Sequence, residues 1–101
     1  MTAIRDTCKS LGRFHLNDCE IHSSCEPCPM CLGAIYWARP KAVYYANSRQ
    51  DTADIGFDDS MIYDKMRVEL HKRKIPIHSM ACNEALKVFA DWKNKNDKTF
   101  Y

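Results

Sequence analysis

The sequence predicts an α/β fold in which helices alternate with strands that pair in parallel. Apolar residues recur at helical spacing from Ala3 to Leu11, and a short alternating segment follows at residues 19–24. A mostly apolar segment from Met30 to Ala38 comes next, followed by a β-branched and aromatic segment at residues 41–46. This order of helix, strand, helix and strand favours parallel strands joined by crossover helices.

The ends of the first two helices are marked by residues that stop a helix. Gly12 is placed to end the first helix as a C-cap, and Pro40 is placed to end the second. A polar loop is expected from Asn47 to Gly56. No repeat, linker or low-complexity segment divides the sequence, which predicts a single domain over residues 1–101.

The second half of the sequence predicts further helices and a weaker strand. Asp58 or Asp59 is placed to cap a helix from Ser60 to Leu70. Residues 75–80 are expected to form a marginal strand, which a proline confines to the edge of a sheet. Apolar positions around residues 86–93 predict a closing amphipathic helix.

Composition and charge narrow the classes of partner. The chain has 101 residues, a formal net charge of +2 and a sequence pI near 8.2. A net charge this small gives no sign of the basic stripe that nucleic-acid binding usually needs, so no nucleic-acid partner is expected. No segment is long and apolar enough to predict a membrane span, and the first residues lack the apolar core of a signal peptide. We therefore expect a cytoplasmic protein with no membrane partner.

The segment with the clearest chemistry is Cys28-Pro29-Met30-Cys31, which follows Pro27. Proline is favoured at the first helical position, so the segment predicts a turn that opens into a helix. Both sulfur atoms then lie on one face of the first helical turn, where free N–H groups and the helix dipole favour thiolates. Two thiolates so placed are half of a tetrahedral zinc site.

The six cysteines could also serve purposes other than zinc binding. A disulfide framework is not expected in a reduced cytoplasm. A thioredoxin-like redox pair is less favoured than zinc, because that motif normally follows a strand in a βαβ unit without a flanking Glu-Pro. Cys25 extends the pattern to C-x-x-C-x-x-C, but Ile35 and Tyr36 stand where an iron–sulfur run needs its fourth Cys and Pro. The remaining cysteines fall in apolar-patterned stretches and are expected to be buried: Cys8, Cys19 and Cys82.

The sequence resembles the cytidine-deaminase-like zinc deaminases, and most closely the bacterial guanine deaminases. The matching residues are Ser24–Pro40, which include the P-C-x-x-C half of the deaminase signature, the loop Gly56–Ser60 and the aromatic C-terminus Tyr101. The resemblance implies a three-layer αβα domain with a mixed sheet and crossover helices. It also implies zinc-dependent hydrolysis of guanine to xanthine and ammonia.

The resemblance further implies roles for individual residues. Cys28 and Cys31 would be zinc ligands, Asp59 would lie against the amine edge of the base, and Trp37 would wall the purine pocket. Tyr101 would lie on a C-terminal segment that crosses to the partner subunit of a homodimer. Alternatives stay open for three of these residues: Asp59 as a helix N-cap, Trp37 as a core residue and Tyr101 as part of a frayed tail.

The sequence departs from the family at its N-terminus. No His-x-Glu occurs in it, whereas the family has His-Ala-Glu directly before residues that look like Met1–Ile4. We therefore expect an incomplete, N-terminally truncated domain that contains no catalytic residue, unless Asp59 contributes, and is nearly inactive alone. His22 is not expected to replace the missing ligand.

Two other kinds of function stay open. One is a deaminase for another nucleobase or for a tRNA adenosine, because the Glu-Pro-Cys-Pro-Met-Cys segment fits several deaminase branches. The other is a non-catalytic remnant that binds zinc or a partner protein, which the absence of His-x-Glu favours.

Overall fold

A computed structural model describes residues 1–100 of the chain. The described residues divide into two compact units, one spanning Met1–Arg67 and one beginning at Val68. The first unit contains α1 (Thr2–Leu11), β1 (Glu20–Cys25), α2 (Pro29–Ala38), β2 (Ala42–Asn47), α3 (Arg49–Asp54) and α4 (Ser60–Arg67). The second contains a 3₁₀ turn (Leu70–Lys72) and α5 (Asn83–Lys93). A single domain over residues 1–101 stays a prediction.

The strands β1 and β2 pair in parallel, as the alternating order of elements predicts. Their register sets Glu20 opposite Ala42 and Cys25 opposite Asn47. The helix α2 connects the two strands, which is the crossover that parallel pairing requires. The carboxyl end of β1 therefore leads directly into the turn that carries the cysteine pair.

The ends of α1 and α2 are both closed by a left-handed residue. Gly12 has φ 65° and its N–H donates to the Lys9 carbonyl oxygen, so the predicted C-cap is confirmed. At the end of α2, Arg39 takes φ 55° and its N–H donates to the Ile35 carbonyl oxygen. Arg39 makes this left-handed turn just before the predicted stop at Pro40.

The core of the first unit is small and lies between α2 and the segment before β1. Leu16 is 2% exposed, and Ile35 and Ala38 of α2 are also buried. The Leu16 N–H donates to the Ala38 carbonyl oxygen at 2.7 Å, which fixes this segment against the end of α2. The segment before β1 and the end of α2 are thus held together.

The polar loop predicted at residues 47–56 is partly wrong, because it contains the helix α3. Ser48 is its N-cap: the Ser48 hydroxyl accepts a hydrogen bond from the Asp51 N–H, and the Asp51 carboxylate accepts one from the Ser48 N–H. This reciprocal capping box satisfies two N–H groups that an uncapped helix would leave exposed. The helix predicted to reach Leu70 ends earlier, at Arg67.

The marginal strand predicted at residues 75–80 is wrong, because these residues are irregular in the described chain. Pro76 lacks an N–H to donate to a ladder, and the described strand pairing is confined to β1 and β2. The closing helix is confirmed as α5. Cys82, expected to be buried, is exposed, whereas Cys8 and Cys19 are half-buried.

Within residues 1–100, no helix is long and apolar enough to cross a membrane. Tyr101 lies outside the described residues.

Candidate active site

The cysteine pair lies at the start of α2, as its flanking prolines predict. Cys28 is the N-cap, Pro29 is the first helical residue, and Cys31 is in the first turn. The pKa of the Cys28 thiol is lowered, chiefly because the Cys31 N–H donates to its sulfur, with help from the Cys31 thiol and the Met30 N–H. The first turn of α2 therefore stabilises a thiolate at Cys28, which is the form that ligates metals.

The second thiol of the pair is the proton donor. The pKa of Cys31 is raised, chiefly because its thiol donates a hydrogen bond to Cys28, and burial adds to the rise. The α-amino group of Met1 lies close enough to this thiol to oppose the rise. The start of α1 is thus placed beside the cysteine pair.

The donor set in this region amounts to the two thiols. Among residues 1–100, no group of three or more His, Cys, Asp or Glu side chains is arranged to hold a metal ion. The two sulfur atoms are soft ligands at a spacing that suits zinc. A structural or catalytic zinc site needs at least one more protein ligand. The residues present therefore fit half of a zinc site.

His22 lines the same cavity as the cysteine pair, and its described contacts are with residues of the sheet. Its ring stacks on Tyr44, with ring centroids 5.0 Å apart and an interplanar angle of 25°. Its Nε2 lies 3.5 Å from a Glu20 carboxylate oxygen, and the side chain is 70% exposed. These contacts are those of an exposed strand histidine whose ring is partnered on the sheet.

The turn before Cys28 is fastened to α3 and α4 by a group of residues that we call the Arg49 cluster: Glu26, Pro27, Arg49, Asp59 and Tyr63. Glu26 Oε2 accepts a hydrogen bond from the Arg49 N–H at 2.9 Å. The Tyr63 hydroxyl donates to the Pro27 carbonyl oxygen at 3.0 Å, and burial raises the pKa of Tyr63. Glu26 therefore shapes the turn, which sequence reasoning left open against an exposed side chain.

Sequence reasoning missed the part that Arg49 and Tyr63 take in this region. Arg49 lies 23 residues after Glu26, and Tyr63 lies 36 residues after Pro27. No spacing rule relates residues so far apart. The one local signal was Ser48-x-x-Asp51, which marks the start of α3 and so fixes where Arg49 is presented.

The paired aspartates after Phe57 have separate contacts. Asp58 Oδ1 accepts a hydrogen bond from the Ser60 N–H at 2.9 Å, and hydrogen bonding from the Ser60 hydroxyl and from this N–H lowers the pKa of Asp58. Asp59 Oδ1 lies 3.8 Å from Arg49 Nε, and its side chain is 23% exposed. The side-chain bond at the start of α4 is therefore made by Asp58, and Asp59 is turned toward Arg49.

A cavity of about 700 Å³ in the first unit brings the candidate site residues together. Cys28, Cys31 and Asp59 line it, along with the start of α1, β1 and Arg49. The volume lies within the range of small-molecule sites, which is about 300–1,000 Å³. The cavity therefore places a thiol pair and a carboxylate around one space large enough for a ligand.

Trp37 is not among the residues that line this cavity in the described chain. Its side chain is 64% exposed, so the alternative of a core tryptophan is wrong. Its place in a purine pocket stays a prediction.

Comparisons with known proteins bear on the same region. Residues 1–47 match the family model described as the cytidine and deoxycytidylate deaminase zinc-binding region, which confirms zinc as the predicted metal. Over all 101 residues the chain is 52% identical to a guanine deaminase of Bacillus subtilis. It spans 65% of that protein's length. A tRNA-specific adenosine deaminase of Bacillus subtilis is 38% identical over 45 residues.

The fold is similar to that of a solved structure. An X-ray structure of guanine deaminase from Bacillus subtilis matches with a TM-score of 0.87 and 48% sequence identity, over 99% of this chain and 64% of that one. The predicted cytidine-deaminase-like α/β fold is thereby confirmed. The cysteine pair lies inside the matched zinc-binding region, where the chain is similar to the cytidine and deoxycytidylate deaminases.

Proposed function

We propose that this chain serves the zinc-dependent hydrolytic deamination of guanine to xanthine and ammonia. The observation that carries the proposal is the cavity, which brings Cys28, Cys31 and Asp59 around one space. The 52% identity to a guanine deaminase along the whole chain favours guanine among the bases. Such an enzyme acts in purine metabolism, and we propose the cytoplasm as its location.

Cys28 and Cys31 are the proposed zinc ligands within this chain. N–H groups at the start of α2 lower the pKa of Cys28, and the Cys31 thiol donates a hydrogen bond to the same sulfur. Bound zinc would lower the pKa of a coordinated water to about 7 and so supply hydroxide near neutral pH. The chain's own contribution is to fix both sulfur atoms on one rigid helical turn.

Asp59 is the proposed base-binding residue. A carboxylate accepts hydrogen bonds only, so it suits a partner that presents N–H groups, as the amine edge of guanine does. Asp58 makes the helix-starting bond to Ser60, which leaves the Asp59 side chain available to the cavity. The division of the two aspartates thus supports a binding role for Asp59 in place of a cap.

Two further residues are proposed to complete the purine site. Trp37 would contribute a wall, and Tyr101 would enter the site of a second subunit on an exchanged C-terminal segment. The proposed homodimer is supported by the apolar, exposed face of α2, on which Met30 and Tyr36 lie with Trp37. A partner subunit that covered this face would remove large apolar side chains from water.

The chain of 101 residues is proposed to be nearly inactive by itself. Residues 1–101 contain no His-x-Glu, so neither a third ligand nor a proton-carrying glutamate of that motif is present. Loss of a general acid–base alone removes a factor of about 10² to 10⁴ in rate.

A non-catalytic role is the second candidate, and one observation favours it. Within residues 1–100, no group of three metal-binding side chains is arranged around a metal position. A protein with two thiol ligands can still hold zinc together with a partner's ligand. Binding of zinc or of a second protein would then be its function.

The proposal is tested by measuring zinc content and product formation together. The chain is purified, its zinc is measured by mass spectrometry, and xanthine and ammonia are followed with guanine, adenine and cytosine. The same assays are repeated on the chain extended by the codons that precede Met1 in frame in the gene. We expect slow, zinc-dependent product from guanine, and a large gain if those codons encode His-x-Glu.

Asp59→Asn and Asp54→Asn are the matched variants, since Asp54 is an aspartate of α3 outside the residues that line the cavity. We expect Asp59→Asn to reduce xanthine formation and Asp54→Asn to leave it unchanged. Faster product from adenine or cytosine than from guanine would replace the substrate assignment. Stoichiometric zinc with no deamination in either form of the chain would favour the non-catalytic role.

A further inference from the structure

We propose that Arg49 is a positioning residue for Asp59, which sets the preference of the cavity for bases that carry an amine. The inference rests on the proposed function, because it takes Asp59 as the group that binds the base. It concerns a residue that lies outside the P-C-x-x-C segment of the deaminase motif.

The main chain of Arg49 is fixed first. Its N–H donates to Glu26 Oε2 at 2.9 Å, and the Ser48–Asp51 capping box holds the helix that Arg49 begins. These bonds tie Arg49 to the turn that carries the cysteine pair. Its side chain therefore starts from a defined point beside the cavity, which it also lines.

The side chain of Arg49 is fixed next, by an aromatic ring. The guanidinium carbon lies 3.7 Å from the centroid of the Tyr63 ring, which is a cation–π distance. Tyr63 is itself anchored, because its hydroxyl donates to the Pro27 carbonyl oxygen at 3.0 Å. The guanidinium group is thus held against the ring of an α4 residue that is itself bonded to the cysteine turn.

One edge of the fixed guanidinium group faces Asp59. Arg49 Nε lies 3.8 Å from Asp59 Oδ1, with the two side chains 37% and 23% exposed. Among residues 1–100, Asp59 Oδ2 has no hydrogen-bond partner. Arg49 therefore attracts one carboxylate oxygen and leaves the other available to accept a hydrogen bond from a ligand.

The arrangement depends on properties that arginine has and lysine lacks. The guanidinium group is planar, stacks on aromatic rings and stays charged at every accessible pH. A lysine at this position would keep the charge but lose the stacked plane that directs it. We infer that Arg49 restricts the orientation of Asp59 as well as attracting it.

The test uses 2-aminopurine, a fluorescent base with an amine, and purine, which lacks the amine, as competing ligands for the full chain purified with zinc. The measured quantity is the ratio of their affinities. We expect Arg49→Ala to reduce this ratio about five-fold, the size expected for loss of a partly exposed ion pair. Arg49→Lys should restore part of the ratio, and Tyr63→Leu should lower it as Arg49→Ala does.

Arg67→Ala is the matched control, because Arg67 is an exposed arginine at the end of α4. It should leave the ratio unchanged. Circular dichroism checks that each variant is folded, and Arg49→Lys decides the question if Arg49→Ala does not fold.

The outcomes separate the two proposals. If both affinities fall equally in the Arg49 variants, Arg49 is only structural and this inference is wrong. If Asp59→Asn lowers the ratio while the Arg49 and Tyr63 variants do not, the inference is wrong and the role of Asp59 stands. If the unaltered chain shows no preference for 2-aminopurine, the proposed role of Asp59 fails, and the inference fails with it.

Discussion

The Glu26 carboxylate accepts a hydrogen bond from the main-chain N–H of Arg49 at 2.9 Å, across 23 residues of sequence. This bond joins the turn before Cys28 to the first residue of α3. The first N–H groups of a helix have no partner within the helix, so a carboxylate there satisfies one of them. Its negative charge also interacts favourably with the positive end of the helix dipole. The cysteine turn and α3 are consequently parts of one structure.

Replacing Glu26 should loosen that structure. Glu26→Ala removes the acceptor for the Arg49 N–H and should lower the free energy of unfolding by about 1–2 kcal/mol. Glu26→Gln keeps an acceptor oxygen and should lower it less. Urea denaturation followed by circular dichroism measures both. Equal stability of the alanine variant and the unaltered chain would contradict the role of this bond.

The capping box of α3 should make the stability of the first unit depend on pH. The pKa of Asp51 is lowered from 3.8 because the Ser48 N–H and hydroxyl donate to its carboxylate. A lowered folded-state pKa means that the stabilisation is complete above the ordinary value of 3.8 and is lost as the pH falls through the folded-state value. Asp51→Asn should therefore lower the melting temperature at pH 7.

Asp51→Asn should have little effect on the melting temperature at a pH below the folded-state pKa of Asp51. Ser48→Ala tests the other half of the capping box and should cost about 1 kcal/mol at pH 7. Gln50→Ala, which alters an exposed residue of α3, is the control for a change in that helix. A constant difference between Asp51→Asn and the unaltered chain from pH 7 to acid would rule out this account.

The first four elements follow from the sequence because each has a local signal. The apolar period of α1, the prolines around Cys28 and the β-branched pattern of β2 all act within a few residues, and Gly12 ends α1 as expected. The α3 helix was missed because it is polar, and only its Ser48-x-x-Asp51 start marked it.

The parts that sequence reasoning did not find depend on contacts between distant residues. A β-propensity at residues 75–80 cannot form a strand without a neighbour to pair with, and Pro76 removes one of the donors that pairing needs. The position of the cysteine pair at the start of α2 could be predicted from its spacing and its flanking prolines. Asp58 makes the side-chain bond at the start of α4, whereas Asp59 lies near Arg49, whose position no local pattern reveals.

Zinc binding should depend on both thiols of the pair. Cys28→Ser and Cys31→Ser each remove a thiolate, and we expect a larger loss of zinc affinity than the roughly 10–100-fold typical of residues that only support a ligand. Competition with a fluorescent chelator measures the affinity. Cys25→Ser and His22→Ala are the controls, since one tests the C-x-x-C-x-x-C run and the other the nearby histidine. Zinc affinity that survives loss of both thiols but falls with His22→Ala would overturn the assignment.

The left-handed turn at the end of α2 should be open to stabilisation. Arg39 has φ 55° and ψ 52°, a conformation that costs a residue with a Cβ more than it costs glycine. Arg39→Gly should raise the free energy of unfolding by about 0.5–1 kcal/mol. Arg39→Ala retains the Cβ and so controls for loss of the charge. An equal gain in both variants, measured by urea denaturation, would show that the charge and not the backbone conformation is responsible.

The exposed face of α2 should make the chain self-associate. Met30, Gly33 and Trp37 recur at helical spacing on this face, and Tyr36 lies beside them. Met30 is 67% exposed, Tyr36 is 76% exposed and Trp37 is 64% exposed. An apolar face of this kind is typical of an interface. Light scattering after size-exclusion chromatography, over a range of concentrations, should show dimers or larger species, and the double variant Tyr36→Ser with Trp37→Ser should shift them toward monomer. Trp92→Ser, which alters another exposed tryptophan in the second unit, should not shift them toward monomer.

A chain that stays monomeric at all concentrations and unfolds cooperatively at high temperature would contradict both the interface and the proposed homodimer, because an isolated subunit would then be stable with this face in water.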